Sequence, residues 1–139
     1  MKIVIVCPDV PPNPNGGLGT YLEGLIDALS DVDADIHVVG TSRDRKLPSM
    51  SLIGNVKIHR VLSSRPWNNA GTVRRLVGLA WEYLRLNGAG MREALKPGRQ
   101  ADVVAVHDWM CSPAGFMLRL LGKPTVYHIH SAEIYLEGG

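Results

Sequence analysis

The chain has 139 residues, 45% of them hydrophobic and 20% charged, which suits one soluble domain and excludes both a disordered chain and two independent cores. Fifteen Lys and Arg against thirteen Asp and Glu give +2. The basic residues form no stripe beside aromatics, so nucleic acid is not an expected partner.

Arg43, Arg45 and Lys46, and again Arg74 with Arg75, make small basic clusters. They read as solvated surface, with weak contact to an anionic membrane surface as the alternative. Cys7 and Cys111 lie in apolar surroundings without a C-x-x-C pair and read as free thiols. The apolar start is cut off by Pro8, too soon for a signal segment or membrane span, so a cytoplasmic location is expected.

In chain order, residues 3–7 are a continuous β-branched run ended by Pro8, as for a strand buried on both faces of a parallel sheet. A Pro/Gly/Asn loop over residues 8–19 leads to Leu22, Leu25, Ile26 and Leu29, the spacing of an amphipathic helix. Residues 36–39 and 56–62 read as the next strands, separated by a polar loop containing Pro48. Val73, Leu76, Val77, Ala80, Tyr83 and Leu84 mark a helix over residues 72–86, and residues 91–95 a second helical piece before Pro97. Residues 103–106 are a fourth strand. Ser112 and Pro113 open a helix to Leu121, and residues 125–129 are a fifth strand. The alternation predicts an α/β, doubly wound parallel sheet forming one domain over residues 1–139.

In such a sheet ligands sit beyond the C-terminal strand ends, where strand order reverses. Three segments should meet there. Gly16, Gly17, Leu18 and Gly19 precede a helix, where backbone amides and the helix N-terminus favour a phosphate; glycines that only turn the chain are the alternative. The segment matches neither the G-x-G-x-x-G fingerprint, which needs a small residue at Leu22, nor a P-loop. His107, Asp108 and Trp109 can donate, accept and stack, which suits sugar hydroxyls and the apolar face of a pyranose. Packing and helix capping are their other reading. In the third segment, His128 and His130 share one strand face, followed by Ser131 and Glu133. A zinc site from His107, His128 and His130 would need a second shell that the sequence does not display, so no metal is expected. His37 and His59, within other strands, read as structural.

The first strand with the Gly16-Gly17-Leu18-Gly19 loop and its helix, the run from Ala101 to Trp109, and the run from Lys123 to Ser131 together resemble glycosyltransferase family 4, and the later two resemble strands that glycogen and starch synthases share. The resemblance implies the N-terminal, acceptor-side half of a GT-B fold. It further implies retaining, metal-independent transfer of sugar from a nucleotide-sugar donor, a substrate and not a cofactor, to an acceptor hydroxyl. By the same resemblance His130 lies against the reacting sugar as the catalytic residue, and Gly17, Leu18 and Gly19 approach the donor. His107 and Asp108 would then line the acceptor side, and Gly16, Trp109, Ser131 and Glu133 are further expected substrate-binding residues. Pro14 stands where glycogen and starch synthases carry a Lys, which favours another activity of the family. Most nucleotide contacts would come from a C-terminal domain absent here, supplied in cis or trans, so the chain alone is expected to be cut short and inactive, with self-association through exposed apolar surface. The rival expectations are a non-catalytic carbohydrate or nucleotide-sugar binding module acting with a partner chain, and, on the doubly wound pattern alone, a nicotinamide-dependent oxidoreductase. No acid follows the second strand at Gly40 and Thr41 to hold a ribose, which counts against the latter.

Overall fold

The computed structural model describes residues 1–12, 16–63, 71–96, 98 and 100–130. The chain runs β1 (Lys2–Asp9), α1 (Gly16–Leu29), β2 (Asp35–Ser42), β3 (Met50–Ile53), β4 (Val56–Leu62), α2 (Thr72–Ala94), β5 (Val103–His107), α3 (Ser112–Leu120) and β6 (Thr125–His128). A 3-10 turn, Trp109–Cys111, leads from β5 into α3. The strands form one sheet of order β3-β4-β2-β1-β5-β6. All neighbours are parallel except the edge strand β3, which pairs antiparallel with β4.

β1 is central because it is apolar on both sides: Val4, Ile5, Val6 and Cys7 are each at most 3% exposed. Its alternate residues feed two cores. Ile5 and Cys7 meet Leu22 and Ile26 of α1 together with Val38 and Ile58. On the other face Val4 and Val6 meet Leu86 and Ala94 of α2, Leu118 of α3, and Val104 and Val106. Helices on both faces of a mostly parallel sheet make the fold α/β and doubly wound, the architecture of the N-terminal half of GT-B enzymes. Strand order reverses at β1, so the crevice lies beyond the C-terminal ends of β1 and β5.

Four details differ from the sequence reading. The segment read as a polar loop contains β3, a four-residue edge strand whose Met50 and Leu52 stay exposed; so short a strand, half in water, leaves little pattern. The glycines read as loop are the first turn of α1. The two helical pieces are one helix, α2, of 23 residues. Asn87 and Gly90 interrupt its apolar pattern because both serve packing. The Asn87 amide donates to the carbonyls of Tyr83 and Met110 and accepts from the amide of Ala114 at 2.8 Å. A Cβ at Gly90 would stand 2.8 Å from Val6 Cγ2.

The fourth difference concerns which face of α2 is buried. Val73, Leu76, Val77, Trp81 and Leu84 face solvent, while Glu82, Leu86, Asn87, Gly90, Glu93 and Ala94 are buried. At 1.5 Å per residue α2 spans about 34 Å, against about 26 Å for an eight-residue strand, so roughly 8 Å at its N-terminal end overhangs the sheet, where residues 72–77 are all exposed. No helix among the described residues is long and apolar enough to cross a membrane.

Candidate functional site

β5 and β6 run side by side with His107 paired in register to His128. Alternation along the strands turns His107 and His128 to the face covered by α1, and His130 follows on the same side. His107 Nδ1 lies 2.9 Å from His130 Nε2. The His107 ring stacks on His128 with centroids 4.3 Å apart and planes at 5°. Tyr21, from the second turn of α1, closes the group, 4.7 Å from the His130 ring and 5.8 Å from His107. His107 is completely buried, whereas His130 is exposed at the edge. Tyr21 was not among the residues the sequence singled out; its signal was its place six residues into a helix that begins at the crevice.

Burial, reinforced by the charges of His128 and His130, pushes His107 down to about 4. It is therefore neutral at pH 7, and a single proton serves the contact between its Nδ1 and His130 Nε2. The two tautomers are tied together: the ring that donates fixes the other as acceptor. The remaining nitrogen of His107, Nε2, is buried without a hydrogen-bond partner among the described residues.

Asp108 takes φ 65° and ψ 165°, a region that side chains rarely occupy. Its carboxylate accepts from the amide of Trp109 at 2.9 Å, and its own amide donates to the carbonyl of His128 at 2.9 Å. Asp108 thus carries the capping role that the sequence offered as an alternative, and the strained backbone locks β5 to β6 beside the histidines. Trp109 turns the other way. Its indole is 61% exposed and meets Tyr83 of α2 with centroids 5.6 Å apart, while the Tyr83 hydroxyl donates to the Trp109 carbonyl at 3.2 Å. On this α2 side of the edge a cavity of about 120 Å³ opens between Asp9, Thr41, Arg43, Glu82, Tyr83 and Met110. Burial raises the Tyr83 hydroxyl to about 12, so it is a hydrogen-bonding group and not an acid at neutral pH.

Gly16, Gly17, Leu18 and Gly19 form the first turn of α1, which contains no acidic residue. A Cβ added at Gly17 would meet nothing within 4 Å, so the backbone there is open to approach, while Leu18 packs on the α1-side core. Ser131 and Glu133 lie outside the described residues. The sheet edge therefore brings together His107, His128, His130 and the α1 N-terminus, and holds Trp109 on the opposite side of the same edge. Both cysteines are free and buried. Burial raises Cys7 to about 12 and Cys111 further, which leaves both as unreactive thiols.

The family profile of glycosyltransferase family 4 matches residues 15–138. The chain belongs to glycosyltransferase family 4. An uncharacterized glycosyltransferase of Methanocaldococcus jannaschii is 29% identical over 140 residues, covering 100% of this chain and 33% of that protein. Among solved structures, sucrose-phosphate synthase from Thermosynechococcus elongatus is similar with a TM-score of 0.61 at 15% identity, over 94% of this chain and 33% of that one. An alpha,alpha-trehalose-phosphate synthase (UDP-forming) from Burkholderia xenovorans in complex with glucose-6-phosphate is similar with a TM-score of 0.53 at 20% identity, over 92% of this chain and 33% of that one. This family 4 chain thus spans about a third of the length of the relatives it matches.

Proposed function

We propose that this chain is the acceptor-side part of a retaining glycosyltransferase that moves a sugar from a nucleotide-sugar donor to an acceptor hydroxyl. The observation that carries the reading is the His107–His130 pair, closed by Tyr21 and set beside the glycine-opened N-terminus of α1, where strand order reverses. In the transfer, the bond from the anomeric carbon to the diphosphate breaks as the bond to the acceptor oxygen forms, and the hydroxyl proton leaves with the diphosphate. Charge grows on that diphosphate. The amides at Gly17, Leu18 and Gly19 and the positive end of α1 suit it, with no acid in the turn to oppose it.

His130 holds a hydroxyl of the transferred sugar and positions it; it is not assigned as a general base. Buried, neutral His107 fixes the tautomer of His130 and acts through it. The exposed face of Trp109 suits the apolar side of a pyranose, and with Asp108 it lines the acceptor side. Further segments of a longer protein supply the nucleotide-binding half. Phe116 and Leu120 of α3 and Val126 and Ile129 at β6, each 48% exposed or more, leave apolar side chains at this end of the sheet of the kind that such segments or a second copy cover.

The test is His130→Ala in the whole protein, assayed for transfer from UDP-glucose and other nucleotide sugars. Turnover should fall by about 100-fold or more, the scale of losing one well-placed donor to the reacting group, with an unchanged circular dichroism spectrum. Near-normal turnover in a folded variant counts decisively against the assignment.

A further inference from the structure

A second group of convergent polar side chains lies on the other face of the sheet, under the C-terminal end of α2. His37 comes from β2, His59 from β4 and Glu93 from α2. One ligand atom from each lies within 4.8 Å of the other two. His37 Nδ1 is 2.9 Å from His59 Nε2 and 2.9 Å from Glu93 Oε1. The opposite nitrogen of the same ring, Nε2, is 3.1 Å from Asp35 Oδ1. His37 is 5% exposed and Glu93 9%, while His59 is half-buried and leaves a way in from solvent.

Counting protons exposes a conflict in this arrangement. Asp35 and Glu93 can each only accept, and a neutral ring carries one proton, so it serves the contact at Nε2 or the contact at Nδ1 but not both. The nitrogen left bare then faces a carboxylate oxygen, acceptor against acceptor. Either a second proton on His37 or a cation between the two relieves this. Burial holds His37 and His59 below their ordinary values, which favours neutral imidazoles. Burial alone would raise Glu93, but the hydrogen bond and charge of the Lys2 ammonium outweigh it and keep the carboxylate ionised. These are the protonation states that a metal requires of its ligands.

We propose that His37 Nδ1, His59 Nε2 and the Glu93 carboxylate form a site for a divalent transition metal, zinc first by ligand type, which pins the end of α2 to β2 and β4. Ligand atoms around tetrahedral zinc stand about 3.3 Å apart, so the two 2.9 Å contacts of His37 Nδ1 need to open by only a few tenths of an ångström to reach that spacing. Two imidazoles and a carboxylate are a common zinc set, with water or the second carboxylate oxygen in the fourth place. Asp35 on the far nitrogen of His37 supplies the carboxylate–histidine support usual behind such ligands. The rival cation is Lys2, whose ammonium donates to Glu93 Oε1 at 2.9 Å. It also donates to the Glu93 carbonyl at 2.8 Å, which can hold it when the carboxylate turns to the ion. Lys57 rests on Asp35 and Lys96 Nζ is 4.0 Å from Glu93 Oε2; both are neighbours of the site and not ligands.

The test titrates zinc chloride into the whole, tag-free, chelator-treated protein against a chromophoric chelator, with cobalt chloride for the absorption spectrum. One equivalent of zinc is expected to bind, raising Tm, and cobalt should give the intense visible bands of a tetrahedral site. His59→Gln, at a half-buried position and checked for folding by circular dichroism, should lose that equivalent. Asp35→Asn should weaken it by about 10- to 100-fold. His130→Ala, in the other histidine cluster, should leave it unchanged. If the protein binds no zinc, or if His59→Gln binds it as tightly as the parent, the proposal is overturned and the network is held by protons and Lys2 alone.

Discussion

Replacing His107 with Phe isolates what it costs to keep that imidazole neutral. Burial first, and the neighbouring charges of His128 and His130 second, hold it at about 4 against an ordinary 6.5. With the folded value below the unfolded one, the unfolded chain binds more protons between pH 6.5 and 4. Stability is therefore complete above 6.5 and falls as pH drops through that window. The whole gap is worth about 3 kcal/mol, of which about 2.5 kcal/mol is lost by pH 4.5 and almost none at pH 7.5. Phe keeps a ring against His128 and Tyr21 but cannot titrate.

The assay is urea unfolding of parent and variant at constant ionic strength from pH 7.5 to 4.5. The free energy of the parent relative to the variant should fall by about 2.5 kcal/mol across that range. His37 and His59, also held low by burial, contribute acid loss to both proteins and cancel in the difference. The ring signal of His107 in an NMR titration should have its midpoint near 4. A difference that does not change with pH, or a ring titrating near 6.5, would refute the argument that burial keeps His107 neutral and able to direct His130.

Other substitutions test how the site is held. Asn87→Ala strips the partner from the buried amide of Ala114 and from the carbonyl of Met110; a loss of about 2–3 kcal/mol is expected by thermal or urea unfolding. Two glycines of α2 should respond to Ala in opposite senses. At Gly88 the new Cβ meets nothing and the better helix former adds about 0.5–1 kcal/mol, whereas at Gly90 the clash with Val6 outweighs that gain and costs about 1–2 kcal/mol net. At Asp108, Ala keeps the positive φ and loses the cap, while Gly loses only the cap; Ala should be the less stable of the two by about 1 kcal/mol or more in the same unfolding assay.

The sheet was readable because its central strands are covered on both faces, which demands continuous apolar runs such as Ile3 to Cys7 and Val103 to Val106. The order of those runs, alternating with helices, carried the fold class. What stayed hidden were features whose cause lies elsewhere in the chain. Asn87 and Gly90 look like helix breakers until α3 and Val6 are placed against them. The apolar stripe of α2 obeys helical spacing yet faces solvent, because spacing reveals a helix and not which side has a neighbour. At the site, His107 and His130 stood out as strand-end histidines on neighbouring strands. Tyr21 did not, since only the docking of α1 on β1 brings it to them. Asp108 directly follows β5, but its capping bond depends on a backbone angle that composition does not reveal.

The two histidine clusters show how position along a parallel strand sorts similar side chains into different chemistry. His37 pairs with Val4 of β1, whereas His107 lies one residue past Val106, the partner of Val6. That is three residues along the sheet, roughly 10 Å, and the opposite face. At the level of Val4 a polar side chain has sheet below it and α2 above it, so it must find partners within the domain; His59, Asp35 and Glu93 are those partners. At the end of β5 the sheet stops and α1 begins beside it. A buried His107 there can be satisfied on one side and lend its proton to a residue facing the crevice. The same residue type is thus a structural tie in mid-strand and a positioning group at the strand end. For that reason, substitutions around His37 should register first in stability, and substitutions at His107 and His130 first in turnover.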